Sequence, residues 1–156
     1  IFAYAIRLTR HATLAEEVVQ DSLLAAWKGA GHFRGEARAI TWLLGIVHRQ
    51  ALNAMRRKRL PRAILDQADA IAEGGAGLQS QAEAADRRQA LQAALGQLSP
   101  EHRAVLALVF YQGLSLAEVA KVCGCPLGTV KSRLSYAKAR LREALGQAGL
   151  RAEDVL

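Results

Sequence analysis

Apolar residues recur along this chain at helical spacing, broken by capping residues and glycines. In 126–145 Val130, Leu134, Ala137, Leu141 and Leu145 fall at i, i+4, i+7, i+11 and i+15, one face of a helix. Ile40, Leu44, Val47, Ala51 and Ala54 repeat the pattern and predict a long helix over about 39–59, ended before Pro61. Further upstream Ala15, Val19, Leu23 and Ala26 mark the expected core side of a helix opened by a Thr13–Glu16 capping box and stopped at Gly29. The ten residues from Gly29 to Arg38 read as a loop.

The downstream third is punctuated more sharply. Ser99 reads as an N-cap with Pro100 at the first helical position, and Gly113 as the stop. Ser115 and Glu118 form another capping box, Gly124 another stop, and Pro126 opens the last helix. A short helix, a tight glycine turn and a longer basic helix predict a helix-turn-helix, with residues 82–98 as a supporting helix. The expected fold is all-α.

The polar faces carry the chemistry. On the last helix Lys131, Ser135, Lys138 and Arg142 form a stripe suited to phosphates. Thr129, Ser132, Arg133, Tyr136 and Arg140 form another, with groups able to meet base edges. A merely solvated face would alternate Glu with Lys, yet no acid appears there before Glu143. On the long upstream helix Trp42, Arg49, Asn53 and Arg56 share a side, pairing a stacking surface with positive charge as single-stranded nucleic acid requires. Glu17, Gln20, Asp21, Leu24 and Lys28 line one side of the helix before it.

Composition narrows the partners. The 156 residues carry a net charge of +7, with three prolines and eight aromatics, a helix-favouring mixture that points to an anionic partner. The charge is blocked: Arg49–Arg62 holds six bases and no acid, Ala63–Asp86 five acids and no base, and Lys131–Arg142 five bases and no acid. This order predicts two anion-binding units, 1–60 and 82–146, a flexible acidic linker over 61–81 and a tail over 147–156. No apolar run is long enough for a membrane span, and no signal peptide is visible. Cys123 and Cys125 make an incomplete metal site and read as small structural residues. None of the four histidines belongs to a nucleophile–base motif, so no cofactor, metal or catalytic residue is expected.

Three stretches together resemble the sigma-70 family of bacterial RNA polymerase sigma factors, in its extracytoplasmic-function (ECF) class. They are "AEEVVQDSLLAAW", "FRGEARAITWLLGIVHRQALNAMRRKR" and "LSPEHRAVLALVFYQGLSLAEVAKVCGCPLGTVKSRLSYAKARLREAL". The resemblance implies sigma domain 2, a helical bundle, in 1–60 and sigma domain 4, a helix-turn-helix, in 82–146. It implies that Glu17, Gln20, Asp21 and Leu24 face the clamp helices of the polymerase largest subunit, with the flap as a further contact. Phe33, Arg34 and Arg38 would lie at an unpaired base of the −10 promoter element. Trp42, Arg49, Asn53, Arg56 and Arg57 would support strand separation and hold phosphates. Thr129, Lys131, Ser132, Arg133, Ser135, Tyr136, Lys138 and Arg140 would meet the −35 element. Promoter DNA, core polymerase and an anti-sigma factor are the implied partners, in the bacterial cytoplasm at the nucleoid and without membrane contact. Arg49 stands where the family usually has Asn, and Gly45 where it often has Arg.

Elements some 20 bp apart are separated by roughly 70 Å. A linker of about 20 residues reaches roughly 70 Å extended but averages nearer 25 Å as a coil. The free protein is therefore expected to be more compact than the polymerase-bound one. A stand-alone helix-turn-helix repressor or activator is the alternative, but it leaves Trp42 and the Glu17–Gln20–Asp21 stripe without a role.

Overall fold

The structure is a computed structural model that describes residues 1–58 and 78–147, with side chains for 1–58 and 87–147. Among these residues every regular element is a helix, with no strand. The expected linker falls largely outside them, and so do the last nine residues of the tail. Residues 78–81, assigned above to the linker, already belong to the supporting helix.

α1 (Phe2–Thr9) ends where Arg10 takes a left-handed conformation, φ 56°, and its N–H closes on the Ile6 carbonyl. That sharp turn leaves His11 extended, and His11 caps α2 (Ala12–Gly29) by accepting the Leu14 N–H on Nδ1 at 3.2 Å. The expected Thr13 cap is thus wrong: the turn at Arg10 starts the helix earlier and places Thr13 inside it. The expected core face of α2 is also displaced. Leu14, Ala15, Val18 and Ser22 are buried, whereas Leu23 is 51% exposed. Ser22 tolerates burial because its hydroxyl donates to the Val18 carbonyl at 2.6 Å.

A 3-10 turn (Ala30–His32) and a loop lead into α3 (Ala39–Lys58), which buries Leu44, Val47, Ala51 and Ala54 as expected. Ile40 is exposed instead, because the first turn of α3 directs Thr41 inward. α4 (Leu78–Gly96) precedes α5 (Pro100–Leu106), capped by Ser99 with Pro100 in its first turn. α5 widens into a π-helical turn (Ala107–Tyr111) that ends at Gly113, φ 62°. α6 (Leu116–Cys123) and α7 (Leu127–Gln147) complete the helix-turn-helix, with Gly124 left-handed between them.

One apolar core runs through both halves of the sequence. It joins Tyr4, Leu8, Leu14, Val18, Leu44 and Val47 to Val105, Leu108, Val119, Val122 and Val130. A smaller cluster of Ala94, Leu98, Leu106, Ala137, Leu141 and Leu145 fixes α4 and α5 on α7. α6 lies on α3, and α5 on α1. A Cβ at Gly45, where the family often has arginine, would meet the Val122 backbone at 3.9 Å, an ordinary contact that marks how closely α3 and α6 approach. Buried guanidinium groups tie the halves further. Arg10 donates to the Gln92 carbonyl at 2.6 Å, and Arg103 to the Leu8 carbonyl at 3.2 Å. Gly96 leaves room for Arg10, since a Cβ there would stand 3.0 Å from its Nη1.

Candidate nucleic-acid and polymerase interfaces

The helix-turn-helix is set by its caps. The Ser115 N–H and hydroxyl both donate to the Glu118 carboxylate, at 2.9 and 2.8 Å, and hold it below the usual carboxylate range. Glu118 also accepts from the buried Thr41 hydroxyl at 3.4 Å, which links α6 to α3. Val130, Ala137, Leu141 and Leu145 anchor α7, while Leu134 is half-buried between the two apolar clusters.

Lys131, Ser132, Ser135, Tyr136, Lys138 and Arg142 are left exposed on α7. Lys138 Nζ rests 5.1 Å over the Phe110 ring, and Arg140 pairs with Glu143 at 2.6 Å. Arg133 is not fully turned outward. It is half-buried, with Nη1 3.9 Å from Cys125 Sγ, and its charge is felt at Glu101, His102 and His48. Tyr136 packs its ring 4.6 Å from that of His102.

The upstream basic–aromatic side also assembles. The Phe33 and Trp42 rings lie 5.2 Å apart, tilted by 43°. Arg34 sits at the rim near Glu36, and Arg38 is exposed beside them. Arg49 and Asn53 follow Trp42 along α3, and Arg56 bonds Asn53 Oδ1 at 3.1 Å. A cleft of about 850 Å³ is lined on one side by Phe33, Arg34, Trp42 and Arg49. Its other wall is Lys121, Val122 and Cys123 of α6, so the basic–aromatic side of α3 faces the first helix of the helix-turn-helix across one opening.

On α2, Gln20, Asp21 and Leu24 are exposed, and Glu17 meets Lys58 at 2.8 Å. Asp21 shares a shallow cleft with Asn53, Arg56 and Arg57. Sequence reasoning missed Trp27, which is 83% exposed beside Leu23 and Leu24. Its signal was an aromatic three and four residues from those leucines, placed next to a polar stripe.

His48 was also missed, as a histidine on an otherwise apolar face. It is buried and lies 2.8 Å from the Tyr4 hydroxyl. Burial, then the nearby Arg133 charge, pushes it down to about 4 against a smaller opposing effect of Glu101. Burial raises the Tyr4 phenol and pushes the Cys123 thiol up to about 12. Among the described residues no group of His, Cys, Asp and Glu could hold a metal, and no helix is long and apolar enough to cross a membrane.

A helix-turn-helix with a basic, acid-poor face, joined to a bundle bearing a Trp–Arg strip, defines a DNA-binding protein of transcription. Residues 1–60 match the model for sigma-70 region 2, and residues 88–141 that for sigma-70, region 4. The ECF RNA polymerase sigma factor SigL of Mycobacterium tuberculosis is 37% identical over 151 residues, 96% of this chain and 85% of that one. The RNA polymerase sigma-H factor of Pseudomonas aeruginosa is 32% identical, covering 93% and 80%. In three dimensions the chain is similar to the sigma factor RpoE of Bartonella quintana, solved in complex with the anti-sigma factor NepR. That likeness has a TM-score of 0.68 and 32% identity, over 93% of this chain and 89% of that one. The chain belongs to the sigma-70 family and is an RNA polymerase sigma factor of the ECF class.

Proposed function

We propose that residues 1–60 act as sigma domain 2 and residues 82–146 as sigma domain 4 of a two-point promoter reader. The observation that carries this is the presence of two separate surfaces in one chain, the Phe33–Trp42–Arg49 side of the first half and the exposed basic face of α7 in the helix-turn-helix. Thr129, Lys131, Ser132, Arg133, Ser135, Tyr136, Lys138 and Arg140 meet the −35 duplex. There, lysines neutralise phosphates while hydroxyl, guanidinium and phenol groups address base edges. Phe33, Arg34 and Arg38 take an unpaired −10 base. Trp42 supplies a stacking surface, and Arg49, Asn53, Arg56 and Arg57 hold the melted strand. Glu17, Gln20, Asp21 and Leu24 dock on the polymerase clamp helices, with Leu23 and Trp27 adding apolar area of the kind that dominates protein interfaces. The flap takes the second domain, an anti-sigma factor restrains the free protein, and catalysis stays with the polymerase, in the cytoplasm at the nucleoid.

Trp42 and Lys121 line the same cleft, whereas promoter elements some 20 bp apart stand roughly 70 Å from each other. The α3–α6 contact must therefore part when both elements are read. Transcription from a promoter library by core polymerase, with and without this protein, tests the reading. The expected result is protein-dependent initiation on a subset of promoters. Duplex-DNA binding with no initiation on any promoter would favour the stand-alone repressor. Small-angle scattering tests the parting, and a free protein already as extended as the polymerase-bound form would rule it out.

A further inference from the structure

The first turn of α5 abuts the reading side of α7, and this contact lies wholly within the second half of the chain. It therefore survives any separation of that half from the first. His102 sits at its centre. Its ring lies 4.6 Å from the Tyr136 ring at 35°, a tilted aromatic contact. The other side of the imidazole is also held: Nδ1 is 2.8 Å from the Ser99 hydroxyl oxygen, which in turn accepts the His102 backbone N–H at 3.4 Å as the cap of α5. Orientation thus passes from the helix cap to the imidazole, and from the imidazole to the phenol.

Tyr136 remains 53% exposed, so one face of its ring is braced while the rest is open to a ligand. A lone tyrosine on an exposed helix turn would sample several rotamers, and each would aim the hydroxyl at a different place. Glu101 and Arg133 are the charged groups that act on His102. Burial pushes Glu101 up, but its own backbone N–H, the Ser99 hydroxyl and the Arg133 charge hold it below the usual carboxylate range. Burial and then Arg133 depress His102, which keeps the imidazole neutral beside a guanidinium.

We propose that His102 is a positioning residue for −35 recognition: it braces the Tyr136 ring in one rotamer and so sharpens the base preference of α7 without touching DNA. This rests on the reading of Tyr136 as a −35 contact. Removing the brace lets the phenol wander, which blurs discrimination at the base pairs it meets and removes no phosphate contact.

The test is competitive selection of randomised −35 elements by holoenzyme assembled from core polymerase and the full chain. The proteins compared are wild type, H102A, H102F, Y136A and the double variant H102A/Y136A. H102A is expected to flatten the preference at one or two adjacent base pairs by about two- to tenfold, the range of a single aromatic pair. The salt dependence of its binding should match wild type. H102F keeps a ring against Tyr136 and should retain most of the preference, which separates bracing from loss of fold. The double variant should match Y136A. If Y136A alters the preference and H102A does not, the brace is refuted while the reading of Tyr136 stands. If Y136A itself leaves every −35 preference unchanged, the reading fails and the brace fails with it.

Discussion

His48 converts acidity into instability, and the size of the effect follows from its surroundings. The imidazole is 3% exposed, with Nδ1 2.8 Å from the Tyr4 hydroxyl oxygen, and Arg133 and Glu101 are the charged groups that act on it. In the folded chain it titrates near 4, against 6.5 for the ordinary group. The neutral form is therefore the one the fold accepts. Its contribution is fully present above pH 6.5 and is lost as pH falls from there through 4. At about 1.4 kcal/mol per pH unit the whole loss is about 3 kcal/mol, of which about 2.5 kcal/mol has gone by pH 4.5. The matched variant is H48Q, whose amide oxygen can accept from Tyr4 but cannot gain a proton. Glu101 and Glu118, both held below the usual range, also weaken the fold in acid, but equally in both proteins. Urea unfolding at pH 7.5 and 4.5 should show wild type losing about 2.5 kcal/mol more than H48Q. Parallel losses in the two proteins would refute the account of a buried neutral imidazole.

Three other substitutions probe separate surfaces. Trp27→Ala should leave the melting temperature unchanged, because the side chain is 83% exposed, yet weaken capture by core polymerase by about tenfold or more, read by competition against a second sigma factor. Lys138→Ala should weaken binding to every duplex alike and flatten the salt slope by about one; a change confined to one sequence would contradict the phosphate role. Ser115→Ala removes a complete capping box and should cost about 1 kcal/mol of stability, measured by urea unfolding, with no effect expected on polymerase capture.

The local grammar of the second half was legible because each signal is short-range. Ser99 with Pro100, Ser115 with Glu118, and Gly113 and Gly124 act within a turn of their own position, and all four appear in the fold as read. The apolar spacing of α7 likewise identified its buried face, because one strong stripe leaves a helix little choice. Family membership was also readable, since the stretches that carry it are contiguous and ordered.

Tertiary structure decided what depended on neighbours far along the chain. Alanine, valine and leucine cover about half the circumference of α2, so periodicity alone could not say which part of that wide face α1 and α3 would cover; Val18 and Ser22 went in, and Leu23 and Trp27 stayed out. The Thr13 cap lost to His11 because the turn at Arg10 set where α2 begins. Most of all, nothing in the local pattern brings Gly45 against Val122, His48 under the charge of Arg133, or His102 against Tyr136. Each of these pairs joins residues more than thirty positions apart. Which polar side chains face a ligand and which face another helix is settled by packing. The residue types state what contacts are possible, and the enclosed space selects among them.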